Sequence, residues 1–127
     1  MREIKFRAWD KKTNTMTICR TLLEWFNAYA QFEWDTKNVQ YERISQFEFM
    51  QYTGLKDKNG KEIYEGDICN CREYECFGKV EWNNEEAGFY FCVVVEGGGF
   101  EEEHLYDYID ELEVIGNIHE NPELLEA

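Results

Sequence analysis

The sequence has few of the features that divide a chain or place it in a membrane. Pro122 is the single proline among 127 residues, so no proline-rich linker separates domains. The longest apolar run, residues 89–95, has seven members, whereas a membrane-spanning helix needs roughly 20. No apolar stretch follows the first charged residues, so we expect no signal peptide and a cytoplasmic location.

Positive charge is missing from the last part of the chain. No Lys or Arg follows Lys79, while residues 80–127 carry 14 acidic side chains and the whole chain has a net charge of −14. Residues 1–20 differ, with six basic and two acidic side chains. The acidic stretch would repel a phosphate backbone, so we expect no direct binding of nucleic acid. It can serve simply as a solvated face, or it can attract a basic partner or the basic start of a second copy.

The reactive side chains form no recognisable catalytic or metal-binding motif. An odd number of cysteines without an export signal indicates reduced thiols. Three of them are close in sequence, but their spacings are x1 and x4, whereas a zinc site usually has two C-x2–4-C pairs. We therefore expect no catalytic residue, cofactor or metal, and a protein that is not an enzyme. The cysteines are Cys19, Cys69, Cys71, Cys76 and Cys92, and the histidines are His104 and His119.

Short alternating patterns separated by turn residues predict a mainly β fold, arranged as a small barrel. Residues 3–20 predict a hairpin, and the Thr21 to Glu24 spacing indicates a short helix over 21–30. The spacing of Leu105 to Leu112 is helical. Asn121-Pro122 predicts a terminal turn. Further strands are predicted at residues 39–43, 47–52, 63–64, 68–74, 79–82, 89–96 and 112–118.

The apolar strand at residues 89–96 has two faces. Alternation places Phe89, Phe91, Val93 and Val95 on one face, towards the core, and directs Tyr90, Cys92 and Val94 to the other face. That outer face is apolar enough to need cover. We expect the cover to come from the N-terminal segment or from another subunit.

Three blocks of the sequence resemble the YopX family. They are the run MQYTGLKDKNGKEIYEGDI at residues 50–68, the start at 2–10 and the end at 113–125. The resemblance implies a small protein encoded by phages, prophages and their bacterial hosts, with no established activity. It also implies an SH3-like β-barrel in the C-terminal half and a tendency to form homo-oligomers.

The central block has a physical interpretation. Gly54, Gly60 and Gly66 lie where turns need a positive φ. Asp57 can cap its own turn, and Asp67 ends the second turn of the motif. The motif therefore specifies the fold. We expect residues 1–45 to form a β extension with a short helix, and residues 46–127 to form the barrel, within a single compact unit.

These patterns together indicate a non-enzymatic, oligomerising protein-interaction module. The expected partners are copies of the same chain and a basic host or phage protein, without membrane contact. The aromatic side chains of Tyr74, Trp82 and Tyr90 are candidates for the interaction surface, because SH3-like barrels bind peptides on surface aromatics. Two alternatives stay open: an acidic mimic of nucleic acid that binds a host DNA-binding protein, and a thiol- or metal-dependent enzyme.

Overall fold

The computed structural model describes residues 5–19 and 46–126. The protein is mainly β and contains curled antiparallel sheets. It divides into two compact units, residues 1–51 and 52–127. The predicted helix at 21–30 and the predicted strand at 39–43 lie outside the described residues. The predicted division at residues 45/46 stays a prediction.

In the first unit, strands β1 (Phe6–Asp10) and β2 (Thr15–Cys19) form an antiparallel hairpin. This confirms the predicted hairpin over its described part. Asp10 closes the turn, because its carboxylate accepts hydrogen bonds from the N–H groups of Lys12 and Thr13. β1 also pairs along its other edge with residues 47–51.

Strand β3 (Phe47–Lys56) continues from the first unit into the second. There it pairs with β4 (Glu62–Tyr64). The second unit also contains a five-stranded antiparallel sheet in the order β8-β7-β6-β5-β9. Its strands are β5 (Asp67–Cys71), β6 (Cys76–Asn83), β7 (Gly88–Val94), β8 (Phe100–His104) and β9 (Leu112–Asn117).

Two predicted elements of the second unit differ from the structure, and one strand was missed. The strand predicted at 68–74 ends at Cys71, because residues 72–75 turn back and Glu75 adopts a φ of 50°. The helical spacing after residue 104 yields a single turn, Leu105–Tyr108. β8 was not predicted, since its three consecutive glutamates hide the alternation of a strand. The closing strand is confirmed as β9, and the terminal turn is the 3-10 helix Pro122–Leu125.

The core of the second unit is one cluster of side chains that are at most 1% exposed. Phe91 belongs to it, and Phe89 and Val93 pack against it, which confirms the predicted core face of β7. Burying such side chains provides the main stabilisation, about 2 kcal/mol for each large one. The cluster consists of Ile63, Cys69, Cys71, Val80, Phe91, Leu105 and Leu112.

The outer face of β7 is covered from within its own sheet. The ring of Tyr90 lies 4.8 Å from that of His104 on β8. The Cys92 thiol donates to the Glu81 carboxylate on β6 at 3.7 Å. As a result, Tyr90 is 7% exposed and Cys92 is 3% exposed. Val94, the third residue of this face, is half-buried. The expected cover by the N-terminal segment or by another subunit stays a prediction.

Gly78 allows β6 and β7 to approach each other. It pairs with Val93, and a Cβ atom at this position would overlap the Cys92 carbonyl oxygen and lie 2.9 Å from the Val93 Cα. Both neighbours are backbone atoms in the middle of a sheet. They cannot move aside without disturbing the ladder of hydrogen bonds, so only glycine fits here.

We predict that Gly78→Ala lowers the free energy of unfolding by about 3 kcal/mol, because the added methyl group forces the two strands apart. Urea-induced unfolding followed by circular dichroism measures this change. Gly88→Ala is the matched control, since a Cβ on this β7 glycine meets only the Glu86 carbonyl oxygen at 3.9 Å. If Gly78→Ala lowered the free energy of unfolding no more than Gly88→Ala does, the close packing of β6 on β7 at Gly78 would be contradicted.

Candidate functional site

The predicted turn motif is built around the carboxylate of Asp57. Its Oδ1 accepts hydrogen bonds from the N–H groups of Asn59 and Lys61, each at 2.9 Å. Its Oδ2 accepts from the N–H of Val114 on β9, also at 2.9 Å. The side chain is 6% exposed. Asp57 therefore caps its own turn, as predicted, and also joins that turn to the last strand of the unit.

The second turn of the motif makes connections of the same kind. The Oδ2 atom of Asp67, which is 1% exposed, accepts from the N–H of Tyr64 at 2.8 Å. Gly66 donates its N–H to the Val80 carbonyl at 2.8 Å and accepts from the N–H of Ile118 at 2.9 Å. The turn between β4 and β5 is thereby fixed to two other parts of the unit.

The three glycines of the motif adopt the predicted positive φ, but Gly54 lies within strand β3, where the pairing with β4 is irregular, and not in a turn. The φ angles of Gly54, Gly60 and Gly66 are 85°, 83° and 82°, a region that side chains other than glycine disfavour. The motif thus forms two tight turns held by buried carboxylates. Its bonds run to backbone N–H groups, which is the pattern of a structural element.

The three aromatic residues predicted as an interaction surface have different surroundings. Tyr74 lies on the β5–β6 turn, is 60% exposed, and its ring is 5.9 Å from that of Tyr108. Trp82 is 39% exposed and its ring is 4.9 Å from that of Phe89. Tyr90 is nearly buried. The structure brings Trp82 and Tyr90 to one polar hollow, and Tyr74 does not line it.

That polar hollow, of about 450 Å³, is rich in acidic side chains. The Asn83 amide donates to the Glu102 carboxylate at 3.2 Å. Burial first, and then the Glu81 and Glu102 carboxylates, raise the pKa of Cys92 to about 11. The Cys92 thiol is therefore protonated at neutral pH and is a poor nucleophile. The hollow is lined by Glu81, Trp82, Asn83, Asn84, Glu85, Tyr90, Cys92 and Glu102.

Strand β8 forms one edge of the five-stranded sheet, and this edge is acidic. Glu101 and Glu102 are exposed, and β8 is the first strand in the order of the sheet. Lys79, the last basic residue of the chain, lies 4.5 Å above the Phe100 ring and forms a 2.7 Å ion pair with Glu81. We call strand β8 the acidic edge. The sequence contains one signal for strand β8: Gly97, Gly98 and Gly99 precede it and form the turn that connects it to β7.

A second hollow of about 430 Å³ is mainly apolar. Phe77, Ile115 and Leu124 contribute to its lining. Asn70 also lines it, and the buried Oδ1 atom of this side chain has no hydrogen-bond partner. Nothing in the structure shows what would occupy this hollow.

The buried cysteines contribute to packing. Cys69 and Cys71 are fully buried in the core cluster, while Cys76 is partly exposed and packs against it. Burial first, and then the Asp67 carboxylate, raise the pKa of Cys69 far above its ordinary range. Within residues 5–19 and 46–126, no group of three or more His, Cys, Asp or Glu side chains has the arrangement of a metal site.

Helices of the described residues are too short and too polar to cross a membrane.

The fold and these surfaces define a class: a small, mainly β protein with a structural turn motif and an acidic sheet edge. The family model described as "YopX protein" matches residues 5–126. The chain belongs to the YopX family, which confirms the resemblance seen in the sequence. This membership fits a phage-type protein from a family without an established activity.

One solved structure is similar over nearly the whole chain. Protein EF1440 from Enterococcus faecalis shares 27% sequence identity, with 97% of this chain and 98% of that chain covered and a TM-score of 0.49. No curated protein sequence matches this chain significantly.

We predict that Asp57→Ala lowers the free energy of unfolding at neutral pH by about 3 kcal/mol, because the N–H groups of Asn59, Lys61 and Val114 lose the acceptor of their partly buried hydrogen bonds. The exposed Asp110 provides a control, and its replacement by Ala should cost less than about 0.5 kcal/mol. Denaturant unfolding measures both values.

The effect of Asp57 should also depend on pH. Burial tends to raise the pKa of Asp57, but the N–H groups of Val114, Lys61 and Asn59 bond to the carboxylate and bring the pKa below its ordinary 3.8. A lowered pKa in the folded state means that the stabilisation is present above about pH 4 and is lost as the pH falls further. The penalty of Asp57→Ala should shrink near pH 3. An equal penalty at both pH values would contradict this role.

Proposed function

We propose that this protein is a non-enzymatic, phage-type interaction module that binds a basic protein segment at the acidic edge. The observation that carries the proposal is the position of β8. In the described part of the chain, β8 has a hydrogen-bonded neighbour strand, β7, on one side only. The other side of such a strand offers N–H and C=O groups to an added strand.

The charge on the acidic edge supports a basic partner. Glu101 and Glu102 point to opposite faces of the sheet, because side chains alternate along a strand. An extended segment lying beside β8 would therefore meet a carboxylate on each face. Such complementarity steers association and selects the partner by sign of charge. The same charges disfavour edge-to-edge pairing of two β8 strands.

Within residues 5–19 and 46–126, two ion pairs join lysines to carboxylates of residues 80–127. Lys79 is engaged by Glu81 and by the Phe100 ring. Lys58 forms a longer, 3.8 Å ion pair with Glu113 on β9. The remaining acidic side chains of residues 80–127 exceed these two cations many times over. A partner rich in Lys and Arg would relieve their mutual repulsion.

Self-association is the second part of the proposal. The β1–β2 turn exposes Lys11 and Lys12, which could meet the acidic edge of a second copy. Lys5 and Arg7 of the same basic stretch are 7% and 8% exposed, so they contribute less to such a contact. We propose a homo-oligomer that is held by weak attraction between this basic turn of one copy and the acidic edge of another. Salt should therefore weaken it.

We also propose that the second unit is an SH3-like small barrel. The support is its short antiparallel strands joined by tight turns, together with the family membership. The absence of a catalytic motif in the sequence supports a binding role over an enzymatic one.

We predict that a lysine- and arginine-rich peptide binds the protein and that Glu101→Gln/Glu102→Gln weakens this binding at least tenfold, since two of the contacting charges are removed. Fluorescence anisotropy of a labelled peptide at low salt measures the Kd. A peptide of the same length with Gln in place of its basic residues should not bind.

The matched control is Glu73→Gln/Glu123→Gln, which removes the same charge from two exposed positions outside β8. This variant should bind the basic peptide within about twofold of the unchanged protein. Equal losses in both double variants would show that only net charge matters and would overturn the assignment to the acidic edge.

Self-association has a separate test. We predict that sedimentation velocity at low salt shows a concentration-dependent oligomer, and that Lys11→Glu/Lys12→Glu shifts it towards the monomer by at least tenfold in dissociation constant, because the basic turn is reversed in sign. A monomer at every concentration and salt would contradict the oligomer, while leaving the peptide result intact.

Mimicry of nucleic acid is the second candidate function, favoured by the absence of Lys and Arg after Lys79. It requires the basic partner to be a DNA-binding protein. A competition experiment distinguishes mimicry from binding of a basic segment elsewhere. If the protein is a mimic, double-stranded DNA should displace it from the DNA-binding surface of the partner. A partner that binds DNA and this protein simultaneously would contradict mimicry.

A further inference from the structure

Cys71 and Cys76 stand directly opposite each other at the end of the β5–β6 hairpin. Their Cα atoms are partners in the antiparallel register, and the residues between them form a turn closed by a hydrogen bond from the Glu75 N–H to the Arg72 carbonyl. The Cys71 thiol is also one of the groups that raise the pKa of Cys76. Both side chains belong to, or pack against, the same core cluster.

The geometry of this pair suits a covalent bond. Directly opposed residues in antiparallel strands have Cα atoms about 4.5–5.5 Å apart, and disulfides span Cα distances of about 4.4–6.8 Å. A bond between the two sulfur atoms therefore requires no large movement of either strand. The backbone is already held in position by the turn.

The other cysteines of the described chain have no such partner. Cys69 lies opposite Gly78 on β6 and Val114 on β9. Cys92 lies opposite Lys79 and Glu102. Cys19 belongs to the first unit, where its register partner is Phe6. The pairing of two thiols is thus specific to the β5–β6 hairpin.

We propose that Cys71 and Cys76 form a reversible dithiol site, which a low-molecular-weight disulfide converts into a cross-strand disulfide. This modification site is independent of the proposed binding function. Cys76 is partly exposed and Cys71 is fully buried, so Cys76 reacts first.

The exchange balances in two steps. The Cys76 thiolate attacks one sulfur of the small disulfide, whose other sulfur leaves as a thiolate, and a mixed disulfide forms on Cys76. The Cys71 thiolate then attacks the Cys76 sulfur and displaces the second small thiol. The protein loses two electrons and two protons, which reduce the small disulfide to two thiols.

The surroundings of Cys76 make the first step slow at neutral pH. Burial first, then the neighbouring Cys71 and the Glu103 carboxylate, raise the pKa of Cys76. Tyr108 packs against the same core cluster. Since the thiolate is the attacking species, the rate should increase about tenfold per pH unit below that pKa. The hairpin then closes under sustained oxidising conditions rather than during brief exposure.

Trypsin separates Cys76 from Cys71, so a disulfide between them joins two peptides. Trypsin cleaves after Lys61, Arg72 and Lys79, so Cys76 falls on peptide 73–79 and Cys71 on peptide 62–72. We expect oxidation of the folded protein with glutathione disulfide, followed by alkylation of free thiols, digestion and mass spectrometry, to yield peptides 62–72 and 73–79 joined by a disulfide. Dithiothreitol should separate them.

Two variants and one measurement locate the bond. Cys76→Ser should abolish the joined peptides, and Cys69→Ala should retain them. Fragmentation of the joined peptides between Cys69 and Cys71 identifies the bonded sulfur even if the Cys69 variant does not fold. Peptide 73–79 recovered only with glutathione attached, or only alkylated after prolonged oxidation at about pH 9, would overturn the proposal. So would a bond from Cys76 to Cys69.

Discussion

The second unit depends on one buried carboxylate. Asp57 sits in the turn between β3 and β4, yet one of its three hydrogen bonds reaches the N–H of Val114 on β9. Beside it, the Lys58 N–H donates to the Leu112 carbonyl at 3.0 Å. The beginning and the end of the unit are therefore joined at one point. A buried charge is tolerated only where hydrogen bonds replace its hydration, so the turn and β9 must both be in place before Asp57 can be buried.

The parts of this arrangement that follow from local chemistry were predictable. Gly60 and Gly66 need a positive φ whatever surrounds them, and the side-chain carboxylate of an Asp such as Asp57 can accept hydrogen bonds from N–H groups that follow it in a turn. The long-range bond to Val114 was not predictable, because no local pattern states which strand will lie beside the turn. The same limit explains β8, whose pairing with β7 overrides a composition that alone indicates a solvated segment.

The amount of charge could be read from the sequence, but its placement could not. Residues 1–20 count as strongly basic, yet Lys5 and Arg7 are almost entirely buried, and the exposed cations of the described hairpin are Lys11 and Lys12. Conversely, Glu101 and Glu102 lie on a sheet edge, where unpaired backbone groups and carboxylates are close to each other. Because Tyr90 and Cys92 are nearly buried, the proposal of a partner is supported by the exposed carboxylates and not by apolar surface at these two residues.

The cysteines show how one spacing can exclude one chemistry and permit another. Four residues between Cys71 and Cys76, without a second pair, give no tetrahedral set of zinc ligands. The same four residues, folded as a hairpin turn, place the two thiols directly opposite each other. Only the register of the strands decides between these outcomes: a shift by one residue would direct one thiol to the opposite face of the sheet. The possibility of a disulfide therefore belongs to the pairing of β5 with β6.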